Sequence, residues 1–455
     1  MKKNDLLTLE ITDITNLGFG VARCEGEVIF VSDAVTGDTV KARIIKCGAS
    51  FSVARVEEYI ALSPLREEGR CDNKRCKSCA YKAIGYPSEL KIKEETVRQI
   101  FKKAGLGEVK ILPIVGSPAV QCYRNKAQYP IALGKDGEYL IGFYAPKSHR
   151  VTEAADCALA PSVFGRINEC LRAFFKEHSL TVYNEETGDG LLRHIYLRRG
   201  EISGEILLTL VINGTALPHS EKLVALITEQ FPRVVGILLN ENTKSTNVIL
   251  GDKFINLWGK DHISDTLSGV ELMITAPSFY QVNHDAAELL YSEAKRLASL
   301  TGEELVLDLY CGAGSIGLSM ARDCREVIGI EIVESAVECA KFNAEKNGIR
   351  NASFYAGDAS HTEGLLATAE KARGERIKPD VVILDPPRGG STEELIKFVC
   401  SRNPQRVVYI SCNPATLARD MKCFESLGYE GCEVTPFDLF PGTGHVETIV
   451  CLSKQ

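Results

Sequence analysis

From residue 303 onward, short apolar segments alternate with helix-like segments, the pattern of a parallel sheet flanked by helices. A strand buried on both faces is a continuous apolar run, and parallel neighbours need a crossover connection between them. The C-terminal part, which we delimit as 286–455, is therefore predicted to be α/β, a doubly wound Rossmann-like domain. Its predicted strands are Leu305–Leu309, Val327–Glu331, Val381–Asp385 and Val407–Ser411.

Two further units are predicted before this domain, because 455 residues are enough for about three domains. Residues 1–60 contain short alternating β-like runs separated by Gly and Asp turns, which predicts a small OB-like barrel. Barrels of this kind frequently bind oligonucleotides, although a fold alone does not establish a function. Residues 61–285 have a mixed pattern, with a helix predicted at 88–104 and a strand at 206–212, and we interpret them as an α+β central domain.

Composition places the chain among ordinary globular proteins, with 45% hydrophobic and 25% charged residues. No stretch approaches 18 consecutive apolar residues, and the first residues lack the apolar core of a signal peptide. We therefore expect a cytoplasmic protein, a monomer without a membrane partner. Most of the 16 cysteines stand singly in apolar runs, which is typical of buried thiols, and only Cys71, Cys76 and Cys79 cluster.

Charge is distributed unevenly, because residues 61–150 carry a formal charge of +8 within a chain whose net charge is −7. Part of this excess lies on the predicted helix, at Lys91, Lys93, Arg98, Lys102 and Lys103. A local basic segment in an acidic protein suits a face that contacts the phosphates of RNA. A solvated helix face explains the same residues equally well, and the sequence leaves both interpretations open.

A glycine-rich string, Gly312-x-Gly314-x-x-Gly317, lies between the first predicted strand of the domain and a helix. Such a loop lets backbone amides approach a ligand, and Glu331 at the end of the next strand can accept ribose hydroxyls. The string alone fits a dinucleotide, S-adenosylmethionine (SAM) or a tight turn without a ligand. Asp308 just before it would repel a pyrophosphate but can face a methionine ammonium, which favours SAM.

Three further residues are candidates for the chemistry. Ligands of open parallel sheets bind at the carboxyl ends of the strands, where Asp385 begins a stiff Asp-Pro-Pro segment and Cys412 precedes a helix. A thiol in that place can have a lowered pKa and act as a nucleophile, although an inert buried thiol is the common alternative. If the last strand runs antiparallel to the others, Glu447 at its beginning returns to this edge and can serve as a general base.

A nucleophilic cysteine, a base and a methyl donor together suit one reaction. The C5 atom of a pyrimidine is too weak a nucleophile to take a methyl group directly, but addition of a thiolate to C6 makes C5 enolate-like. C5 then takes the methyl group, the base removes the C5 proton, and elimination releases the thiol.

These motifs resemble those of the RNA uracil-5-methyltransferases over essentially the whole chain. Besides the glycine loop, the similar segments are 123–130, 142–150, 192–195, 278–283, 384–387, 411–420 and 444–447. The resemblance implies that Cys412 is the nucleophile and Glu447 the base. It also implies that the pocket for SAM and uracil is lined by Gln281, Tyr310, Ser315, Glu331, Asp358 and Asp385. Some relatives have Asn in place of Ser315 and Asp358.

Residues 1–60 resemble a TRAM domain, an RNA-binding barrel found on the ribosomal RNA enzymes of this family and absent from its transfer RNA enzyme. The resemblance thus implies 23S rRNA as the substrate and partner, with a transfer RNA uracil-5-methyltransferase as the alternative.

The clustered cysteines also have a counterpart in the family, where three close cysteines and a distant fourth hold a [4Fe–4S] cluster. The fourth would be Cys157 here. The spacing of Cys71, Cys76 and Cys79 is one residue shorter than the usual family run and lacks its glycines. Four thiolates also suit zinc, and a site without metal is the third possibility. We expect the metal to hold segment 61–87 against the central domain and not to take part in methyl transfer.

Two other functions compete with this interpretation. A SAM-dependent enzyme that methylates an exocyclic nitrogen needs only the Asp-Pro-Pro segment, and it leaves Cys412 and Glu447 without a role. A non-catalytic RNA-binding iron–sulfur protein, or a redox sensor, would use the barrel and the cysteines and would leave the C-terminal half unexplained.

Overall fold

The first sheet is formed by the N-terminal residues of the chain. The computed structural model describes residues 1–68, 70–71, 73, 75–146, 148–359 and 364–454. Six strands pair in the order β1-β5-β6-β4-β3-β2, and β1 also lies against β3, so that the sheet curls around a small apolar core. The strands are β1 (Leu6–Glu10), β2 (Asp13–Ile14), β3 (Phe19–Cys24), β4 (Glu27–Ser32), β5 (Thr39–Cys47) and β6 (Phe51–Ala61).

A helix and a short strand follow, α1 (Tyr86–Lys103) and β7 (Lys110–Ile111). Helix α1 covers most of the predicted helix at 88–104, and it buries Val97 and Phe101. It packs against a helix of the C-terminal domain, and β7 pairs with the edge strand of that domain's sheet. The chain therefore contacts the C-terminal sheet before it forms the central one.

The central sheet has seven strands in the order β10-β9-β8-β11-β12-β13-β14. All neighbours are antiparallel except β12 and β13, which are joined by a helical crossover. The elements are β8 (Lys126–Leu133), β9 (Tyr139–Tyr144), β10 (Val151–Glu153), α2 (Ser162–Glu177), β11 (Leu192–Arg199), β12 (Ile206–Ile212), α3 (Ser220–Gln230), β13 (Val234–Glu241) and β14 (Lys253–Gly259). A hairpin of β15 (His262–Leu267) and β16 (Val270–Thr275) leads to the next helix.

The C-terminal sheet confirms the predicted doubly wound α/β domain. Its strand order is β19-β18-β17-β20-β21-β24-β23-β7, with β22 also paired to β24. The strands are β17 (Leu305–Leu309), β18 (Glu326–Glu331), β19 (Ala352–Ala356), β20 (Val381–Leu384), β21 (Arg406–Ser411), β22 (Tyr429–Glu430), β23 (Glu433–Phe437) and β24 (Glu447–Lys454). The helices are α4 (His284–Ala298), α5 (Ser315–Met320), α6 (Glu334–Lys346), α7 (Ala367–Arg373), α8 (Glu393–Ser401) and α9 (Pro414–Glu425).

Both faces of this sheet are covered. Val306 of β17 packs into one apolar cluster and its neighbours Leu305 and Leu307 into another on the opposite face. Strands β17 to β21 are mutually parallel, whereas β24 runs antiparallel between β21 and β23. No helix in the described part of the chain is both long and apolar enough to cross a bilayer.

Candidate active site

The carboxyl ends of the parallel strands bring the predicted reacting groups to one edge of the sheet. Asp385 and Cys412 directly follow β20 and β21. Because β24 is antiparallel, its first residue, Glu447, returns to the same edge, and Thr448 pairs with Ser411 beside the nucleophile candidate. The conditional prediction that the last strand runs antiparallel is therefore confirmed.

The Cys412 thiol is half-buried, and the prediction that its pKa is lowered is wrong. Burial, together with the negative charges of Glu447 and Asp385, raises the pKa of Cys412 to about 11. The Arg388 guanidinium acts in the opposite direction but does not offset these effects. In the free protein the thiol is therefore protonated near neutral pH.

The two carboxyl groups near Cys412 are also shifted. Burial and the nearby charge of Asp385 raise the pKa of Glu447 to about 8, against the opposing effect of Arg388. Burial raises the pKa of Asp385 to about 7. A carboxyl group with a pKa in this range can accept and release a proton near neutral pH, which is what a general base requires.

The segment that carries Asp385 and Arg388 is held by helix α9. Asp420 Oδ2 accepts hydrogen bonds from Ser391 N at 2.8 Å and from the Tyr409 hydroxyl at 2.6 Å. Gly390 has a φ of +75°, and a Cβ there would lie 2.5 Å from Asp420 Oδ2, so only glycine fits. Arg388 was not selected from the sequence, although it directly follows the Asp-Pro-Pro segment. In the structure its side chain is exposed.

The glycine loop after β17 is shaped by two carboxylates. Glu331 accepts a hydrogen bond from Gly312 N at 3.0 Å, and Asp308 Oδ2 accepts one from Gly317 N at 2.9 Å. Asp308 Oδ1 is buried without a hydrogen-bond partner among the described residues, and burial raises the pKa of Asp308 to about 7. A free buried carboxyl oxygen beside a glycine-rich loop fits a ligand with a cationic donor.

Tyr310 stands at the start of this loop in a left-handed conformation, with a φ of +65°. Such strain in a non-glycine residue persists only where the surroundings enforce it, and it is common at functional sites. Burial and the nearby charge of Asp358 raise the pKa of the Tyr310 hydroxyl. Asp358, which follows β19, therefore lies on the same side of the sheet as the loop.

Gln281 and Ser315 are joined by a residue that sequence analysis did not select. The Tyr291 hydroxyl lies 3.0 Å from Ser315 Oγ and also bonds to the Gln281 side chain. Tyr291 is buried on helix α4, where its position looks like that of any apolar core residue. Asn125 Nδ2 donates to the Gln281 carbonyl at 2.9 Å and fixes this segment from the central sheet.

The four predicted metal-binding cysteines lie together, away from the strand ends. Burial raises the pKa of Cys79 to about 12, and the thiols of Cys157, Cys76 and Cys71 all contribute to the shift. Among the described residues, no three His, Cys, Asp or Glu side chains are placed to hold a single metal ion. The four thiols thus lie near enough to influence one another, without a metal-binding arrangement among the described residues.

A buried ionic network connects helix α1 with the loop that precedes Glu447. Lys93 Nζ lies 2.8 Å from Glu89 Oε1 and 2.7 Å from Asp438 Oδ1, and Lys93 is only 1% exposed. Glu89 Oε1 also accepts a hydrogen bond from Gly442 N at 2.6 Å, and Arg70 pairs with Glu89 Oε2. For Lys93, both interpretations of the basic helix face are wrong, because its charge is neither solvated nor accessible to RNA.

The same loop contacts the cysteines and the N-terminal barrel. Gly442 packs against the Cys79 side chain, and its carbonyl accepts a hydrogen bond from Tyr81 N at 2.9 Å. Gly444 lies so close to Asn16 that a Cβ there would overlap the Asn16 carbonyl oxygen. The N-terminal barrel, the segment that contains Cys79 and the loop that precedes Glu447 therefore contact one another.

Comparisons with known proteins agree with this geometry. Residues 85–455 match the tRNA (uracil-5-)-methyltransferase family. An uncharacterized RNA methyltransferase of Clostridium acetobutylicum is 39% identical over 458 residues, covering 100% of this chain and 98% of that protein. One of Halalkalibacterium halodurans is 38% identical over 457 residues, with 100% and 98% covered.

A similar solved structure is that of the Pyrococcus abyssi tRNA (uracil-54, C5)-methyltransferase in complex with S-adenosyl-L-homocysteine. The TM-score is 0.78 at 28% sequence identity, and the match covers 98% of this chain and 100% of that chain. So extensive a match includes most of the N-terminal barrel, so the barrel also has a counterpart in an enzyme named for a transfer RNA substrate.

Proposed function

Because the chain belongs to the tRNA (uracil-5-)-methyltransferase family, we propose that it transfers a methyl group from SAM to C5 of a uridine in 23S rRNA. The observation that carries this proposal is the convergence of Cys412, Asp385 and Glu447 at one edge of the sheet. A thiol flanked by two carboxyl groups suits a reaction that needs a nucleophile and a proton acceptor.

In the proposed reaction, the Cys412 thiol gives its proton to solvent, its sulfur bonds to C6 of the uracil, and the electrons of the C5–C6 double bond form an enolate. SAM would supply the methyl group, which bonds to C5 as its bond to the sulfonium sulfur breaks and S-adenosylhomocysteine is left. Glu447 then takes the C5 proton, the bond between C6 and the sulfur breaks, and the double bond and the thiolate are restored. We assign to Asp385 a contact with the uracil ring, and to Asp308 Oδ1, which has no partner among the described residues, a hydrogen bond from the methionine ammonium of SAM.

Incubation with tritium-labelled SAM and fragments of 23S rRNA tests the proposal. We expect label in 5-methyluridine after nuclease digestion of the RNA. Label on adenine, guanine or an exocyclic nitrogen would contradict the proposed chemistry.

Transfer RNA is a second candidate substrate, since the full-length similarity to the Pyrococcus abyssi enzyme includes the barrel. The resemblance of residues 1–60 to a TRAM domain does not separate the two substrates, because the barrel has a counterpart in that transfer RNA enzyme. We keep 23S rRNA as the substrate of our proposal and transfer RNA as the second candidate. The same labelling experiment with unmodified transfer RNA separates the two: methylation of transfer RNA alone would replace our proposal with the second candidate.

The raised pKa of Cys412 predicts how this thiol reacts in the free protein. Since only the thiolate is alkylated, the rate of reaction with iodoacetamide should rise about tenfold per pH unit between pH 7 and 9. Mass spectrometry of the peptide that contains Cys412 measures this rate, with the exposed Cys432 in the same sample as an internal reference. A rate that is already constant above pH 7 would mean that the thiol is activated before RNA binds.

We further propose that Cys71, Cys76, Cys79 and Cys157 bind a [4Fe–4S] cluster that holds segment 61–87 in place. In such a cluster each cysteine binds a different iron, so the thiols need to be near one another without meeting at a single ion. Four cysteines whose thiols influence one another around Cys79 are a ligand set of this kind, and the comparison with zinc is made by the metal analysis.

Anaerobic purification followed by iron, sulfide and zinc analysis tests the cluster. We expect iron and sulfide in equal amounts in the unaltered protein and in the control Cys432→Ser, and loss of both in Cys76→Ser. Stoichiometric zinc without sulfide would show that the cluster assignment is wrong.

A further inference from the structure

Two positive charges lie directly opposite each other on neighbouring strands of the central sheet. Lys126 of β8 is the cross-strand partner of Arg198 of β11. Like charges in such a pair destabilise a sheet, because the two side chains are close and share one face. This pair therefore lowers the stability of the sheet, and a third cation increases the repulsion.

The third cation is Arg124, which together with Arg198 and burial lowers the pKa of Lys126 to about 8. No carboxylate contributes to this shift. Among the described residues, none of the three side chains forms an ion pair, whereas the buried Lys93 and the half-buried Arg66 and Arg70 do. We call Arg124, Lys126 and Arg198 the cation triad.

Arg198 is only 2% exposed, and its hydrogen bonds are incomplete. Nε donates to the Tyr196 hydroxyl at 3.1 Å, and one terminal nitrogen, Nη2, donates to the Ser278 carbonyl. The other, Nη1, is buried and has no acceptor in the described part of the chain. A buried guanidinium N–H without an acceptor is costly, so the charge of Arg198 is only partly compensated by its hydrogen bonds.

The triad lies beside the segment that brings Gln281 to the active site. Arg124 forms a β-bridge with Asn283, and Asn125 N donates to the Val282 carbonyl at 2.9 Å. Burial lowers the pKa of His445, two residues before Glu447, and the charges of Arg388, Lys93 and Arg124 lower it further. The positive charges therefore continue from the central sheet to the edge that carries Cys412.

We propose that the cation triad binds a backbone phosphate of the RNA next to the uridine that is methylated. A phosphate bound by the half-buried Arg124 and Lys126 would offset the mutual repulsion of the three cations, while the buried Arg198 acts through its charge. Holding the backbone at this point would let the target base leave its stack and reach Cys412, because a flipped nucleotide pivots about its flanking phosphates. This inference rests on the proposed function, since it needs RNA as the substrate.

One other anion could occupy the triad, the carboxylate of the methyl donor, because Gln281 is expected to line the donor pocket. The carboxylate of the methyl donor and a phosphate of the RNA predict different effects of substitutions in the triad. A donor carboxylate would make the affinity for SAM depend on the triad, whereas an RNA phosphate would make the affinity for RNA and its dependence on salt depend on it.

Lys126→Met and Arg124→Gln in the full chain test the proposal, with Lys222→Met on α3 as a matched control, since Lys222 is exposed and lies on a helix outside the triad. Binding of a 23S rRNA fragment and of oligouridylate is measured over a series of KCl concentrations, and binding of SAM by calorimetry. We expect each triad variant to bind RNA about tenfold more weakly and to reduce the slope of log K against log salt by about 1. The affinity for SAM should not change.

A second measurement separates this role from a structural one. Removing the charge of Lys126 relieves its repulsion with the two guanidiniums, so Lys126→Met should raise the urea midpoint of the free protein while it weakens RNA binding. Unaltered RNA affinity and salt slope, or weaker binding of SAM, would overturn the proposal. If the unaltered protein methylates no RNA but the salt slopes still differ as expected, the phosphate site stands and the proposed reaction fails.

Discussion

Glu447→Gln should accumulate a covalent protein–RNA adduct that carries the methyl group, whereas Cys412→Ala should form none. The amide of Gln cannot accept the C5 proton, so the bond between the Cys412 sulfur and C6 cannot be broken by elimination. Without the thiol, C5 is never activated, and both the adduct and methylation are lost. We expect a loss of turnover of about 10³-fold or more for each variant.

A denaturing gel with labelled RNA measures the adduct, and tritium from the methyl donor in the shifted band shows that methyl transfer precedes the block. Cys432→Ala and Glu433→Gln serve as controls, because these exposed residues lie outside the site. An adduct formed by Cys412→Ala would mean that another cysteine is the nucleophile. Normal turnover of Glu447→Gln would assign the proton to a different acceptor.

Lys93→Met should lower the free energy of unfolding by about 3–5 kcal/mol, because it leaves Asp438 as a buried carboxylate without a cation and Glu89 with Arg70 alone. Urea titration followed by circular dichroism measures the change. Lys91→Met is the matched control, since Lys91 lies on the same helix but is exposed, and its effect should stay within about 0.5 kcal/mol.

Lys93→Met, unlike Lys91→Met, should also loosen the loop that leads to Glu447. Lys93 Nζ donates to the Phe440 carbonyl, and Asp438 Oδ1 accepts from Phe440 N, so the network fixes the loop on the way to Glu447. Equal effects of Lys93→Met and Lys91→Met on stability would mean that the network is not a unit. Equal effects are what one would expect if Glu89 and Asp438 were exposed to solvent and needed no cation.

The edge that carries the chemistry could be predicted because each of its parts is local in the sequence. Asp385, Cys412 and the glycine loop each follow an apolar run directly, and parallel strands bring such positions together without any knowledge of packing. The direction of β24 could be stated only as a condition, because strand direction is decided by the connection that precedes it.

Lys93 could not be assigned from the sequence, because its partner Asp438 is 345 residues away. On a helical wheel a lysine four residues after a glutamate predicts a solvated pair. The expectation of a lowered pKa for Cys412 failed for a related reason. A helix start nearby suggested a lowered value, whereas burial and the neighbouring Glu447 and Asp385 raise it. Both errors arise because distant parts of the chain supply the surroundings of the residue.

The position of β24 has a consequence for the order of events during synthesis. This strand lies inside the sheet, between β21 and β23, although the ribosome makes it after every other strand of that sheet. Until residues 447–454 emerge, β21 and β23 present unpaired edges, and Glu447 is absent from the side of Cys412. If these two residues act as we propose, a chain without this strand cannot complete the reaction, and the insertion of β24 both closes the sheet and completes the site.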